Sequence, residues 1–322
     1  MSRPVVDIVL VNWNSGDQLT AALRSLVDHG DGLVASVVVV DNGSTDGSDR
    51  IAMPELPLRI VPAGSNLGFG AACNLGARIN TAPYLLCLNP DAELKAGVLA
   101  GVVAHLDADS AQKTGVVGVQ LIDTNGETHR HCARFPTWRS FVGQSLGLFR
   151  LGRGYFKPIP LLDFDHRSSR QVDHVMGAFY CMRRALFESL GGFDEAFFLY
   201  MEDLDLSKRV VDAGYRIDYR ADLIAFHKQG GTSDQIKSRR YAYILSSNMV
   251  YVWKHRPLHE ALVVSGVTLL GEPVSRAARF LVQRRPADAW AALQGVGMLY
   301  TGLPDVVRRI RLARRFKAVA RG

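Results

Sequence analysis

Apolar residues in the first 120 positions fall into two alternating patterns. Val5 to Val11 is a nearly unbroken apolar run rich in β-branched side chains, as expected of a strand covered on both faces. Leu19, Leu23, Leu26 and Val27 then share one side of a helix. Ser36 to Val40 and Leu58 to Val61 read as further strands. Phe69 to Asn80 reads as a helix, Tyr84 to Leu88 as a strand, Lys95 to Leu106 as a helix and Val116 to Ile122 as a strand. Strands alternating with helices predict an α/β fold, a mostly parallel central sheet flanked by helices. Ligands of such sheets sit beyond the carboxyl ends of the strands, and the polar clusters of this chain fall there.

The rhythm breaks over residues 123–171, rich in His, Arg and aromatic residues from His129 to Lys157, with Arg150 and Arg153 among them. A long, partly helical connection over the site is expected. From Val172 a strand, a helix near Arg184 to Leu190 and a helix opened by Glu202-Asp203 follow. Tyr215 to Tyr219 reads as a strand, and a short apolar stretch ends in His227. Beyond Asp234 the pattern is helical, with breaks expected near Pro257, Pro273, Pro286 and Pro304. The expected organisation is an α/β domain, residues 1–234, and a helical C-terminal region, residues 235–322.

Charge follows the same division. The 322 residues carry a net +7, but residues 1–234 hold 22 basic and 27 acidic side chains against 16 and 4 in residues 235–322. With 48% hydrophobic and 21% charged residues, disordered, collagen-like and disulfide-scaffold classes are excluded. Cys73, Cys87, Cys132 and Cys181 are widely spaced and form no CxxC pair, which argues against a zinc ribbon and for a reducing compartment. The first apolar run is short and carries Asp7, unlike a signal peptide. The longest charge-free run, Ala289 to Pro304, has 16 residues, short of the ~20 that span a bilayer. No transmembrane helix is expected.

Five clusters carry candidate chemistry. Asp41-Asn42-Gly43-Ser44-Thr45-Asp46-Gly47-Ser48 follows a buried strand; it is either a polar turn or a set of acceptors and amides at the sheet edge, where Asp41 can accept from the ring N–H of uracil or thymine. It has neither the GxGxxG nor the P-loop spacing. Gly64-Ser65-Asn66-Leu67-Gly68-Phe69-Gly70 leads into a helix containing Asn74, and is either a flexible turn or a backbone cradle for phosphate. Asn89-Pro90-Asp91 ends a strand; Asp91 is either a helix N-cap or a carboxylate for a divalent ion, whose other ligands are phosphate and water. Glu202, Asp203 and Asp205 follow an apolar run; acids suit a helix N-terminus, and Asp205 with Arg209 makes an i,i+4 pair, but a carboxylate beside apolar surface also suits a general base. His227 gains meaning only if it converges on Asp91.

In this order Val11-Asn12-Trp13-Asn14, Val40-Asp41-Asn42-Gly43-Ser44-Thr45-Asp46-Gly47-Ser48, Asn66-Leu67-Gly68-Phe69-Gly70, Asn89-Pro90-Asp91, Gly191-Gly192-Phe193-Asp194-Glu195 and Glu202-Asp203-Leu204-Asp205 resemble the inverting GT-A glycosyltransferases of family 2. The likeness is nearest to bacterial rhamnosyltransferases and spans roughly residues 5–230. It implies a GT-A (nucleotide-diphospho-sugar transferase) fold. Asn12, Asn14 and Asp41 would line the nucleoside pocket. Asn66, Gly68, Phe69, Gly70 and Asn74 would border the sugar diphosphate. Asn89 replaces the first acid of the family's DxD motif, Asp91 is its last acid and a metal ligand, and His227 is a second ligand for Mg2+ or Mn2+. Asp203 would be the catalytic base, with Glu202 as fallback. No Ser/His/Asp or Cys/His nucleophile signature accompanies them, in keeping with a single inverting displacement.

The resemblance implies transfer of a sugar, rhamnose from dTDP-rhamnose, to a hydroxyl of a polyprenyl-diphosphate-linked glycan in cell-wall or polysaccharide assembly. The alternatives are another donor, such as a UDP-hexose or UDP-galactofuranose, and a non-catalytic nucleotide-sugar-binding partner. In the C-terminal region, Val274, Ala277, Ala278 and Leu281 share one helical side, as do Leu303, Val306, Val307 and Ile310. Apolar stripes with basic neighbours suit either a helix lying on an anionic membrane surface or a helix docked on its own protein. Sparse aromatic interleaving argues against nucleic acid. The expected place is the cytoplasmic side of the cell membrane, peripherally attached.

Overall fold

A computed structural model of the chain describes residues 4–109, 111–150, 154–228 and 237–319. Arg153 and the 234/235 boundary lie outside the described residues, as does the side chain of Arg150. The elements run β1 (Val6–Asn12), α1 (Gly16–His29), β2 (Val34–Asp41), β3 (Leu58–Pro62), α2 (Phe69–Ala77), β4 (Tyr84–Leu88), β5 (Ala92–Glu93), α3 (Val98–Ala108) and β6 (Thr114–Ile122). They continue with α4 (Trp138–Leu146), β7 (Arg170–Val172), β8 (Phe179–Arg183), α5 (Arg184–Ser189), α6 (Glu202–Asp212), β9 (Arg216–His227), α7 (Lys237–His255), α8 (Leu258–Gly266), α9 (Glu272–Val282), α10 (Pro286–Thr301) and α11 (Leu303–Val319). Two compact units result. One contains residues 1–134, 160–193 and 203–232; the other contains 135–159, 194–202 and 233–322.

The first unit holds one nine-stranded sheet in the order β3-β2-β1-β4-β8-β6-β9-β5, with β7 on β9. β3, β2, β1 and β4 are mutually parallel. The middles of β1 and β2 and all of β4 are apolar and buried, because both faces are covered. Ile8, Val37, Val39 and Leu86 face α1 and α3, while Val9, Val38, Leu85 and Cys87 face α2, α5 and α6. β8 enters antiparallel between β4 and β6, so its first residues lie at the edge where the parallel strands end. Tyr215 to Tyr219 and the stretch ending in His227 are one strand, β9. It follows β6 throughout, with a register shift after Val119 that leaves Ala221 to Leu223 outside the ladder. β5 pairs antiparallel with the end of β9, Ala92 opposite His227.

Helices make up most of the second unit. α7 packs against α10 and α11, and α10 also against α9. The break expected at Pro273 is absent: α8 runs through a π segment, Val267–Gly271, into α9. The wider turn makes room for the proline ring. The carbonyl left without an amide donor, Leu269, accepts instead from the Tyr300 hydroxyl. The two apolar stripes of this region differ. Val306 and Ile310 of α11 are buried, so that stripe is a packing face. Val274 and Leu281 of α9 are 70% and 59% exposed. Among the described residues, no helix is long and apolar enough to cross a membrane.

Candidate functional site

Parallel register places Asn12 opposite Asp41 where β1 and β2 end. Asn12 is fully buried, and its Nδ2 donates to Asp41 Oδ1 and Ser48 Oγ, both at 2.9 Å. Asp41 Oδ2 accepts from the backbone N–H groups of Gly43 and Ser44, each at 3.1 Å. A carboxylate offers about four acceptor positions, so one remains. Asn14 closes the turn from the other side. Its N–H donates to Ser44 Oγ at 2.9 Å, and its Oδ1 accepts from Thr45 N–H at 2.7 Å. Asn12 therefore acts behind Asp41 rather than on the wall of a pocket.

The glycine-rich loop is tied to the same turn. Asn42 Nδ2 donates to the Gly68 carbonyl at 3.0 Å, and Leu67 N–H donates to Asn42 Oδ1 at 3.3 Å. Asn66 Oδ1 accepts from Gly68 N–H at 2.9 Å. Gly68 holds φ 83°, a conformation that favours glycine, and the chain then enters α2 at Phe69 and the buried Gly70. The Phe69 ring meets Phe193 edge-on at 5.9 Å. Asn74 sits elsewhere than a donor pocket. It is 4% exposed, donates to the Phe193 carbonyl at 2.9 Å and accepts from Phe193 N–H at 2.8 Å. It clamps the Gly191-Gly192-Phe193 turn, which Arg209 holds from α6 through the carbonyls of Leu190 and Gly192, both at 2.8 Å, while pairing with buried Asp205 at 2.9 Å.

Asp91 lies one residue before the β5–β9 register pair, which brings it to His227. His227 Nε2 is 3.2 Å from Asp91 Oδ1, with both side chains nearly buried. α3 starts only at Val98, after Gly97, so Asp91 caps no helix. Among the described residues, His227 Nδ1 has no hydrogen-bond partner. The His129 ring stands edge-on to it at 5.7 Å, and its own Nδ1 likewise has none among those residues. Burial, then the adjacent His227, holds His129 below the ordinary imidazole range. One carboxylate and one imidazole at this spacing fit a divalent ion that takes its other ligands from diphosphate and water. No group of three or more protein donors occurs among the described residues.

Asp203 is the second residue of α6. Tyr200 and Met201, just before the helix, hold φ 68° and 69°, strained for non-glycine residues and of a kind that clusters at functional sites. Asp203 Oδ2 accepts from Gly177 N–H at 2.8 Å, and Oδ1 from Leu204 N–H at 2.8 Å. The next residue of that segment, Ala178, accepts from Asn89 N–H at 3.0 Å. Asp203 and the Asn89-Pro90-Asp91 turn thus hang on adjacent residues at the start of β8. The Asp203 side chain is 19% exposed, whereas Glu202 is buried at 4%.

With this geometry in view, comparison with known proteins decides the family. Residues 7–191 match the family described as Glycosyl transferase family 2. The chain belongs to glycosyl transferase family 2. This transferase is 29% identical over 278 residues to an N-acetylglucosaminyl-diphospho-decaprenol L-rhamnosyltransferase of Mycobacterium tuberculosis, covering 80% of this chain and 89% of that one. It is 26% identical over 262 residues to the rhamnosyltransferase WbbL of Escherichia coli K12, covering 79% and 95%. Its fold is that of the GT-A glycosyltransferases. The mannosyltransferase PcManGT of Pyrobaculum calidifontis, solved with GDP-Man and Mn2+, superposes with a TM-score of 0.52 at 20% identity over 99% of this chain and 86% of that one.

Several residues around the candidate site gave no usable signal in the sequence. Asn42 and Ser48 were visible only as turn residues. His129 lay in an aperiodic stretch, and His174 stood alone. Gly177 had a readable cue: a glycine inside the apolar run from Val175 to Met182 marks a close approach. A Cβ there would lie 3.2 Å from Asp203 Oδ2 and 3.3 Å from the Phe69 ring.

Proposed function

We propose that this transferase moves rhamnose from dTDP-rhamnose to a sugar hydroxyl of a polyprenyl-diphosphate-linked acceptor, with inversion at the anomeric carbon. The observation that carries this reading is the gathering of Asp41, Asp91, His227 and Asp203 along the edge where the parallel strands end. The Mycobacterium relative's name supplies the donor sugar and acceptor class; a UDP-hexose or UDP-galactofuranose donor is the second choice. Asp41 uses its remaining acceptor position for the ring N–H of thymine or uracil. The glycine-rich loop and the first amides of α2 face the diphosphate. Asp91 and His227 would hold Mn2+ or Mg2+, which would supply positive charge beside the nucleoside diphosphate. Asp203 takes the acceptor's proton. Its exposure favours it over buried Glu202.

The acceptor places the enzyme peripherally at the cytoplasmic face of the membrane. Two features support that position. The four cysteines are all free and buried. All but one of the large exposed apolar side chains among the described residues, Leu162 excepted, belong to the second unit, with Leu270, Val274, Val282 and Trp290 among the most exposed. The test is transfer from labelled dTDP-rhamnose to an N-acetylglucosaminyl-diphosphoryl polyprenol, with Mn2+, Mg2+ or chelator, beside UDP-linked donors. Asp203→Asn is expected to keep donor binding and lose transfer by about 10²- to 10⁴-fold. Product with no donor, or full transfer by Asp203→Asn, would sink the reading.

A further inference from the structure

Behind Asp203 lies a buried polar chain that the proposed reaction does not use. His174 is 5% exposed, and its Nε2 stands 3.7 Å from Asp203 Oδ2. Its Nδ1 is 2.9 Å from Ser207 Oγ, and Ser207 Oγ is 3.0 Å from the Tyr180 hydroxyl. Ser207 and Tyr180 are both fully buried. Ser207 lies one helical turn after Asp203 on α6, His174 precedes β8, and Tyr180 is within it, so three segments meet on one hydroxyl.

Hydrogen placement follows from counting donors and acceptors. Ser207 Oγ is the one hydrogen-bond partner of the Tyr180 hydroxyl among the described residues. A fully buried phenol must spend its proton on something, so Tyr180 donates to Ser207. Ser207 then donates to His174 Nδ1. The ring proton is left on Nε2, pointing at the Asp203 carboxylate. The reverse chain would strand the phenolic proton and turn a nitrogen lone pair toward a carboxylate.

We propose that His174, held as the Nε2–H tautomer by Tyr180 and Ser207, is the positioning residue that orients the Asp203 carboxylate toward the acceptor hydroxyl. This rests on Asp203 acting as base. At 3.7 Å the contact is electrostatic, and a small ring rotation makes it a hydrogen bond, as such contacts tighten when substrate arrives. The donor is uncharged. Burial keeps the imidazole below its ordinary range, outweighing the pull of Asp203 and Asp173. His131, which lies within electrostatic reach, is likewise neutral, and Arg209 acts on Tyr180. A neutral dipole directs the carboxylate without the full positive charge that would weaken it as a base.

The test joins a spectroscopic signature to kinetics on the full chain. Nitrogen-15 ring spectra of the wild type should show His174 as the Nε2–H tautomer, and Ser207→Ala should turn it into a mixture. With dTDP-rhamnose and an N-acetylglucosaminyl-diphosphoryl polyprenol, His174→Phe should lower kcat by about 10- to 100-fold while the donor KM stays within about twofold. His174→Gln, which keeps an N–H donor, should recover part of that loss. An Nδ1–H tautomer in the wild type, an unchanged kcat, or equal losses for Phe and Gln would overturn the proposal. Asp203→Asn, run alongside, separates the two ideas, because full transfer there removes the base itself. Should His174→Phe fail to fold, the tautomer and kcat of Ser207→Ala decide alone.

Discussion

Lowering the pH should unfold this protein partly through His131, and the size of the effect can be worked out. The ring is 6% exposed, and its Nε2–H donates to the Val119 carbonyl at 3.0 Å. Nδ1 has no hydrogen-bond partner among the described residues, and the ring stands against His166 at 5.9 Å and Tyr219 at 5.6 Å. Burial, with His166 adding to it, pushes the group down to about 3 from an unfolded value of 6.5. The folded state thus binds fewer protons. The contribution is complete above about pH 6.5 and is lost as pH falls from there toward 3. At pH 5, protonation favours the unfolded chain by on the order of 2 kcal/mol. His131→Phe removes this titration and leaves the Val119 carbonyl without that donor, costing about 1 to 2 kcal/mol at pH 8. The deficit of the variant relative to wild type should therefore vanish or reverse at pH 5. His129, His166 and His174 are also held low by burial, but they remain in both proteins and cancel in the difference. Urea unfolding at pH 8 and pH 5 measures it. Wild-type and variant stabilities that fall in parallel would refute the reasoning.

Three further outcomes follow from the same contacts. Gly177→Ala should barely change stability yet lower kcat by about 10- to 100-fold, because the new methyl displaces Asp203 by a few tenths of an ångström; thermal melting and transfer rates report the two separately. Arg184 is buried and donates to Asp7 and to the carbonyls of Ala77 and Ala82, each at 2.7 Å. Arg184→Met should cost about 3 to 5 kcal/mol by stranding the Asp7 charge, and adding Asp7→Asn should restore part of it in denaturant titrations. Asp91→Asn should abolish the Mn2+-dependent part of the thermal shift produced by dTDP-rhamnose and spare any metal-independent part; an unchanged Mn2+ effect would remove Asp91 from the ion.

Strands β1, β2 and β4 were legible because both faces are buried and each reads as an apolar run. β9 was not, since Arg220 and Asp222 interrupt it and only its register with β6 joins the two halves. The antiparallel entry of β8 also escaped the pattern, because an apolar pentapeptide carries no direction. That entry places His174 and Gly177 beside Asp203, so their nearness to it was hidden, although Gly177 carried a cue of its own. The acids could be recognised from motif context. Their supports could not: Asn12 and Asn74 look like ligand contacts in the sequence, and tertiary hydrogen bonds make them braces. The α11 stripe left two readings open, since amphipathicity reports that a helix covers something and is silent on what.

The chain passes between its two units several times, and this limits how the helical region can be altered. A stop codon after residue 234 looks like a clean removal. It would leave segments 135–159 and 194–202 behind without the helices they are built on. Asp194 would lose Lys254, its buried partner at 2.7 Å, and Phe198 would lose Tyr243 from its ring pair. Truncation would therefore report collapse rather than loss of a tail function. The helical region cannot be exchanged between relatives as a cassette; substitutions must come from the outside of α9, where Val274 and Leu281 can be made polar with the interior untouched.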